Sequence, residues 1–278
     1  MKIANMNLHY HRYSLKYFLD STTRLGLRAI ELWGGTPHLY VDDVNYQEIS
    51  SLLKEIKQRE LELICFTPEQ CAYPINLSAE DETFRKRSIN YFKRCIQIAN
   101  SLECSNLLVT AGYGLYNEPI EEAWRKGRES LQILAGEAEK AGITLLLEPL
   151  SSFGSNLVYN LTTLKKMYQE VNSPNLKVML DTIPMVLSGD SIDEYGAEFG
   201  EDLKHIHLLD GDGQTTAHLA WGEGNFSLDS FIESIQNIQY KNYFTLELIG
   251  PKYNWDPEEA TRKSLIHINN SLKSNSKV

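Results

Sequence analysis

The chain has 278 residues, 42% of them hydrophobic and 23% charged, which is ordinary globular material with enough apolar residues for a large core. Its formal net charge of −10 and pI near 5.3 argue against a nucleic-acid backbone as partner, since that needs a basic surface, and no apolar run reaches the length that spans a bilayer. Cys65, Cys71, Cys95 and Cys104 show no Cys-x-x-Cys spacing, and the start lacks the long apolar segment of a signal peptide, so the cytoplasm is the expected location.

From the first residue the pattern alternates strand and helix, with no linker or low-complexity tract to divide it. Strand one is expected over residues 2–7 and a helix over 14–25, stopped by Gly26. Strand two, 29–33, runs into a Gly- and Pro-rich loop; helix two covers 46–59 and strand three 61–67. The loop over 67–77 is long for a barrel connection and is expected to cover the mouth. Ser78 with Asp81 reads as a capping box, and Phe84, Tyr91, Cys95, Ile98 and Leu102 follow at helical spacing as a core stripe. Strand four (106–110) precedes a helix over 119–141 that Gly142 closes.

The run ITLLLEPL over 143–150 is apolar enough to be a strand buried on both faces, as in a parallel sheet covered by helices. A helix over 162–171 and strand six, ending at Asp181, come next. Pro184, Gly189 and Gly196 then predict short helical pieces over 183–199. Strand seven (203–208) opens into a long loop over 209–225, and a helix begins near Ser227. Strand eight ends at Glu247, and Asp256-Pro257-Glu258-Glu259 combines an N-cap, Pro at the first helical position and acids in the first turn. Eight strand-helix units predict one (β/α)₈ TIM barrel over residues 1–278. No Gly-x-Gly-x-x-Gly or P-loop string occurs, and Asp210-Gly-Asp-Gly213 is only a fragment of a calcium loop.

Four consecutive strands end on groups able to bind a metal: Glu148, Asp181, His207 and Glu247. An acid at a strand end is often simply solvated, and a lone strand His is more often a satisfied core residue. All four on one end of a barrel place three carboxylates together, and their mutual repulsion calls for one divalent cation. An oxygen-rich set with one imidazole suits manganese, magnesium or cobalt, with zinc left open.

The strings Leu147-Glu148-Pro149, Leu180-Asp181-Thr182, His205-Ile206-His207, Trp221-Gly222-Glu223-Gly224 and Leu246-Glu247-Leu248 resemble the xylose isomerase-like TIM-barrel family of sugar isomerases and epimerases. Within it, IELWGGTPH over 30–38, YPIN over 73–76, EPL over 148–150 with Ser155-Asn156, and the 205–224 stretch look most like the fructoselysine 3-epimerases. The resemblance implies that Glu148, Asp181, His207 and Glu247 ligate the metal and that Glu148 and Glu247 are the proton-transfer pair. It also implies a ketose substrate, with fructoselysine converted to psicoselysine. Free-ketose enzymes of the family hold the sugar with a Glu, a His and an Arg where this chain has Gly154, Pro184 and Gly213, so a substituted ketose fits better than a free one. Asp210 and Asp212 are then candidates to face a cationic tail, and His9, Trp33, Glu69, Tyr73 and His218, with His38, are candidates to line the pocket. The alternatives are another ketose or sugar phosphate, a phosphodiester hydrolase of the same superfold, or a non-catalytic sugar-binding barrel. A small-molecule sugar is the expected partner, with neither nucleic acid nor membrane, and homo-oligomerisation is left open.

Overall fold

A computed structural model describes residues 1–70 and 74–275. Eight parallel strands close on themselves in sequence order: β1 Lys2–Met6, β2 Ala29–Gly34, β3 Glu62–Pro68, β4 Asn106–Val109, β5 Thr144–Leu147, β6 Leu176–Asp181, β7 Leu203–His207 and β8 Tyr243–Leu246. Pairing of β1 with both β2 and β8 makes the closure. Around them lie α1 Leu15–Arg24, α2 Tyr46–Gln58, α3 Glu82–Ser101, α4 Ile120–Ala141, α5 Leu161–Val171, α6 Thr182–Ser188, α7 Ile192–Phe199, α8 Leu228–Asn237 and α9 Pro257–Asn275. Among the described residues no helix is long and apolar enough to cross a membrane.

Side chains alternate across each strand, and this decides which residues face inward. Leu145 and Leu147, Val178 and Leu180, Ile206, and Phe244 and Leu246 belong to the large core between strands and helices. Their neighbours Leu146 and Met179 join Ala4, Ala29, Ile64, Cys65 and Leu108 in a separate apolar cluster that plugs the barrel. Glu148 follows Leu146 by two positions and Asp181 follows Met179 by two, so both inherit the inward direction. His205 and His207 share that face of β7 for the same reason.

Local sequence explains the element ends. Asn45 accepts from the amides of Gln47 and Glu48, and Glu48 returns a bond to the Asn45 amide, a complete capping box at α2. At α3 the expected box is not formed: Asp81 alone caps Phe84 N (2.7 Å), while the Ser78 hydroxyl is drawn off to the carbonyl of Ala111 (2.6 Å). The segment between β6 and β7 is two helices, α6 and α7, but only Gly189 of the three expected breakers divides it. Its φ of 75° closes α6 in the left-handed conformation. Pro184 sits in the first turn of α6, where its missing N–H would have no intrahelical acceptor. Gly196 lies inside α7 because a Cβ there would stand 2.3 Å from the Ile238 side chain.

The long connection after β7 is hung on one side chain. Asp210 is buried, and its carboxylate accepts from the amides of Gly211 (2.9 Å), Gly222 (3.0 Å), Gly224 (2.8 Å) and Phe226 (3.0 Å). Its own backbone exchanges both hydrogen bonds with Leu219. We predict that Asp210→Ala costs at least about 2 kcal/mol, because four amides lose a charged acceptor at once. Urea denaturation measures this, and hydrogen exchange at Gly222, Gly224 and Phe226 should accelerate; unchanged protection of those amides would show that the loop does not depend on Asp210.

Candidate active site

The C-terminal end of the barrel brings together the four expected groups. One ligand atom each from Glu148, Asp181, His207 and Glu247 lies within 4.8 Å of all the others. His207 stands among the acids, its Nδ1 3.1 Å from Glu247 Oε2, 3.6 Å from Glu148 Oε1 and 3.8 Å from Asp181 Oδ2. That nitrogen is fully buried yet aligned for a hydrogen bond with none of them. A buried, unpartnered ring nitrogen facing three carboxylates is a donor set that a divalent cation completes once the nitrogen has given up its proton, so the residues present fit such an ion.

Asp181 is held from two sides. Its Oδ1 accepts from Ile183 N (2.6 Å) at the start of α6, and its Oδ2 lies 3.1 Å from His218 Nε2. His218, one of the expected pocket residues, also lies 3.6 Å from Glu247 Oε2, and its Nδ1 bonds to the Thr216 carbonyl at 2.9 Å. The loop that Asp210 organises thus brings an imidazole to the rim of the acid cluster.

Behind His207 lies a second layer that sequence reading missed. Glu31, wholly buried on β2, meets His205 Nε2 at 2.7 Å and His207 Nε2 at 3.1 and 3.2 Å, and the Thr67 hydroxyl donates to it as well. Glu31, His205 and His207 have the residue types of a metal site. Their separations are those of direct hydrogen bonds, and Thr67 occupies a further acceptor position on Glu31. The one available signal was a lone charged residue inside the apolar strand Ala29–Gly34.

Burial and neighbours set the charges when no cation is present. Burial, reinforced by Glu247 and Asp181, raises the Glu148 carboxyl well above its ordinary value despite His207 nearby. Burial would also raise Asp181 and Glu31. His218 with His207 outweighs it at Asp181, and His207 with His205 outweighs it at Glu31, so both carboxyls are held below the usual range. Burial alone would favour neutral imidazoles, but Glu31 and Glu247 push His207 well above its ordinary value, and Asp181 pushes His218 up to about 9. Protons on Glu148 and His207 therefore balance charge that a cation would otherwise balance.

Beside this cluster is a cavity of about 320 Å³ whose floor includes Glu148, Asp181, Glu247 and His218 and whose walls include Phe153 and Ile249. Gly154 and Pro184 also line it, whereas Gly213 does not. A Cβ at Gly154 would meet the Leu150 side chain and the Ser151 carbonyl in ordinary contact at 3.4 to 3.6 Å, so the glycine is not forced by a clash.

The other expected pocket residues are placed variously. Trp33 Nε1 donates to Glu69 Oε2 at 3.2 Å, joining the ends of β2 and β3. His38 is clamped between Asn7 Nδ2 and the Tyr13 carbonyl, both at 2.8 Å. His9 is buried away from the cavity against Thr261 of α9 (3.0 Å), where burial lowers its pKa to about 3. The Asp210 carboxylate is filled by its own loop, and the half-buried Asp212 caps Gln214 and Thr215, so neither is among the residues lining the cavity. Tyr73 lies outside the described residues. Of the loop expected over the mouth, Gln70 and Asn76 are tied to β4 and the chain after it, Gln70 through Thr110 N (2.7 Å) and Asn76 through the Tyr113 carbonyl (2.9 Å).

A family model described as "Xylose isomerase-like TIM barrel" matches residues 19–271. The chain belongs to that family. It is 29% identical to a fructoselysine 3-epimerase of Shigella flexneri over 265 residues, covering 95% of this chain and 96% of that protein. A crystal structure of D-psicose 3-epimerase in the presence of D-fructose superposes with a TM-score of 0.80 at 20% identity, covering 96% of this chain and 97% of that one. The IOLI protein, crystallised with a bound zinc atom, gives 0.81 at 18% identity, with 99% of each chain covered. Relatives in the family thus include sugar 3-epimerases, and the two superpositions extend the shared fold over nearly the whole chain.

We predict that cation binding releases protons. Glu148 and His207 both have raised pKa values without a cation, and each must give up its proton to ligate as an anion or a neutral ring, so apparent affinity for Mn²⁺ should rise with pH. Calorimetric titration in two buffers of different ionisation enthalpy counts the protons; a pH-independent affinity with no proton release would contradict the charge balance described above.

Proposed function

We propose that the chain is a divalent-metal-dependent ketose 3-epimerase acting on a substituted ketose of the fructoselysine type. The observation that carries the reading is the convergence of Glu148, Asp181 and Glu247 on the unpartnered Nδ1 of His207 at the floor of a cavity. Those four residues would hold the cation, which supplies positive charge for the substrate oxygens that gain electron density when a proton leaves C3.

The chain's own groups handle that proton. One of Glu148 and Glu247 breaks the C3–H bond as base, and its electron pair moves toward C2 as the C2 carbonyl becomes an enediolate. The other glutamate, in its acid form, returns a proton to C3 from the opposite face. Burial, which keeps Glu148 protonated more readily than an exposed carboxyl, suits it to carry a proton. His218, hydrogen-bonded to Asp181 and close to Glu247, lines the cavity beside both acids and steadies them.

The substrate class is supported by Gly154, which adds no side chain to the cavity lining, and by Phe153 and Ile249 in that lining, which suit an apolar chain such as the methylenes of a lysine side chain. Among the described residues that line the cavity there is no Lys or Arg, which disfavours a sugar phosphate. The expected role of Asp210 and Asp212 toward a cationic tail is withdrawn, since one is saturated and the other caps its own turn. A multinuclear hydrolase has less behind it, because the second group of potential ligands is closed by hydrogen bonds and shares His207 with the first.

Glu148→Gln and Glu247→Gln should each lower kcat by two or more orders of magnitude, since an amide cannot accept a carbon-bound proton. Loss of tritium from C3 and formation of the epimer are the readouts; restoration of turnover in either variant by excess cation would reduce that glutamate to a ligand only. Side-by-side assays should give a higher kcat/KM on fructoselysine than on fructose, psicose or their phosphates. The reverse order would overturn the substrate and leave the epimerase chemistry standing.

A further inference from the structure

Glu31 is a wholly buried carboxylate that touches none of the cavity, yet three donors converge on it. The Thr67 hydroxyl and His207 Nε2 (3.1 Å) share Oε1, and His205 Nε2 takes Oε2 at 2.7 Å. Strand pairing is irregular beside this network, with the extra residue on β3 (Ile64) in one place and on β7 (Lys204) in the other. The β2–β3 register shifts between Ile30 and Glu31, and the β6–β7 register shifts between Val178 and Met179, the latter being the partner of His205. Each irregularity therefore lies at a member of the network, and bulges of this kind redirect side chains near functional centres.

We propose that Glu31 is a positioning residue that fixes the ring orientation and tautomer of His207, with His205 and Thr67 as the posts that hold Glu31 itself. This rests on the reading of Glu148, Asp181, His207 and Glu247 as a cation site. An imidazole has two nitrogens, and the partner of one decides the state of the other. Because Glu31 accepts at Nε2, the hydrogen stays on Nε2, and Nδ1 is the nitrogen that gives up its proton and offers its lone pair when a cation is bound. Thr67 and His205 matter because a carboxylate with a single partner could rotate. With three donors on its two oxygens, its plane is set. A glutamine at position 31 would turn an N–H₂ group toward one of those donors, leaving His207 free to place its hydrogen on Nδ1, pointing into the site.

The test is made without sugar, so it stands or falls separately from the epimerase assignment. Glu31→Gln should bind Mn²⁺ about 10- to 100-fold more weakly in competition with a chelating dye. In the ¹⁵N spectrum of histidine-labelled, Mg²⁺-loaded wild type, His207 should show a protonated Nε2 and an unprotonated Nδ1, and this pattern should be lost in Glu31→Gln. A merely structural Glu31 would lower the melting temperature while leaving both readouts of the folded protein unchanged. Wild-type Mn²⁺ affinity with an unaltered His207 pattern would overturn the proposal. Should Glu31→Gln fail to fold, Thr67→Val removes one post while keeping shape. It is expected to weaken Mn²⁺ binding several-fold, and unchanged affinity there would overturn the proposal equally.

Discussion

Buried negative charge has to be compensated, and most of what surrounds the barrel mouth answers to that constraint. Four carboxylates, Glu31, Glu148, Asp181 and Glu247, stand within reach of His207 or its partners, and His205 and His218 complete the set of imidazoles among them. Removing any one of these groups changes the protonation of the rest, which is why their pKa values move in opposite directions over a few ångströms. The apolar plug of Ala4, Ala29, Leu108, Leu146 and Met179 beneath them raises the stakes, because it supplies no water to soften the charges.

Much of this was legible in the sequence, and the reason is that the parallel strands of a barrel all end at one mouth. Once residues 143–150 and 176–181 are recognised as barrel strands, the acids at their C-terminal ends fall at one mouth, and the structure, with Leu146 and Met179 facing inward, supplies the direction of Glu148 and Asp181. Contacts across the barrel are a different matter. Glu31 and His205 are 174 residues apart, and no spacing rule links β2 to β7. Asp210 was misjudged for a related reason: an Asp-Gly-Asp-Gly stretch in a long loop gives no sign that one acid turns inward to collect four amides while the other caps its own turn. The same holds for Ser78, whose hydroxyl found a carbonyl on the β4 connection rather than the helix start beside it in sequence.

Specificity in a barrel of this family is written in the connections, and the chain illustrates how little must change to alter it. Phe153 and Gly154 follow β5 and Pro184 lies in the first turn of α6, all within a few residues of Glu148 or Asp181, so the cavity lining and the acid cluster are neighbours in sequence. Strand ends can keep one chemistry while the next few residues select among sugars.

The clasp formed by Asp210 has a further consequence for how the chain tolerates change in length. Its carboxylate and its backbone pairing with Leu219 fasten residues 210–211 and 219–226 together, while His218 is steadied by the Thr216 carbonyl. Residues 213–215 are exposed and outside that clasp. An insertion or a grafted peptide at this tip would extend the loop without moving the imidazole at its base, making 213–215 a natural splice point for variation, whereas the same insertion two or three residues later would unfasten the whole connection.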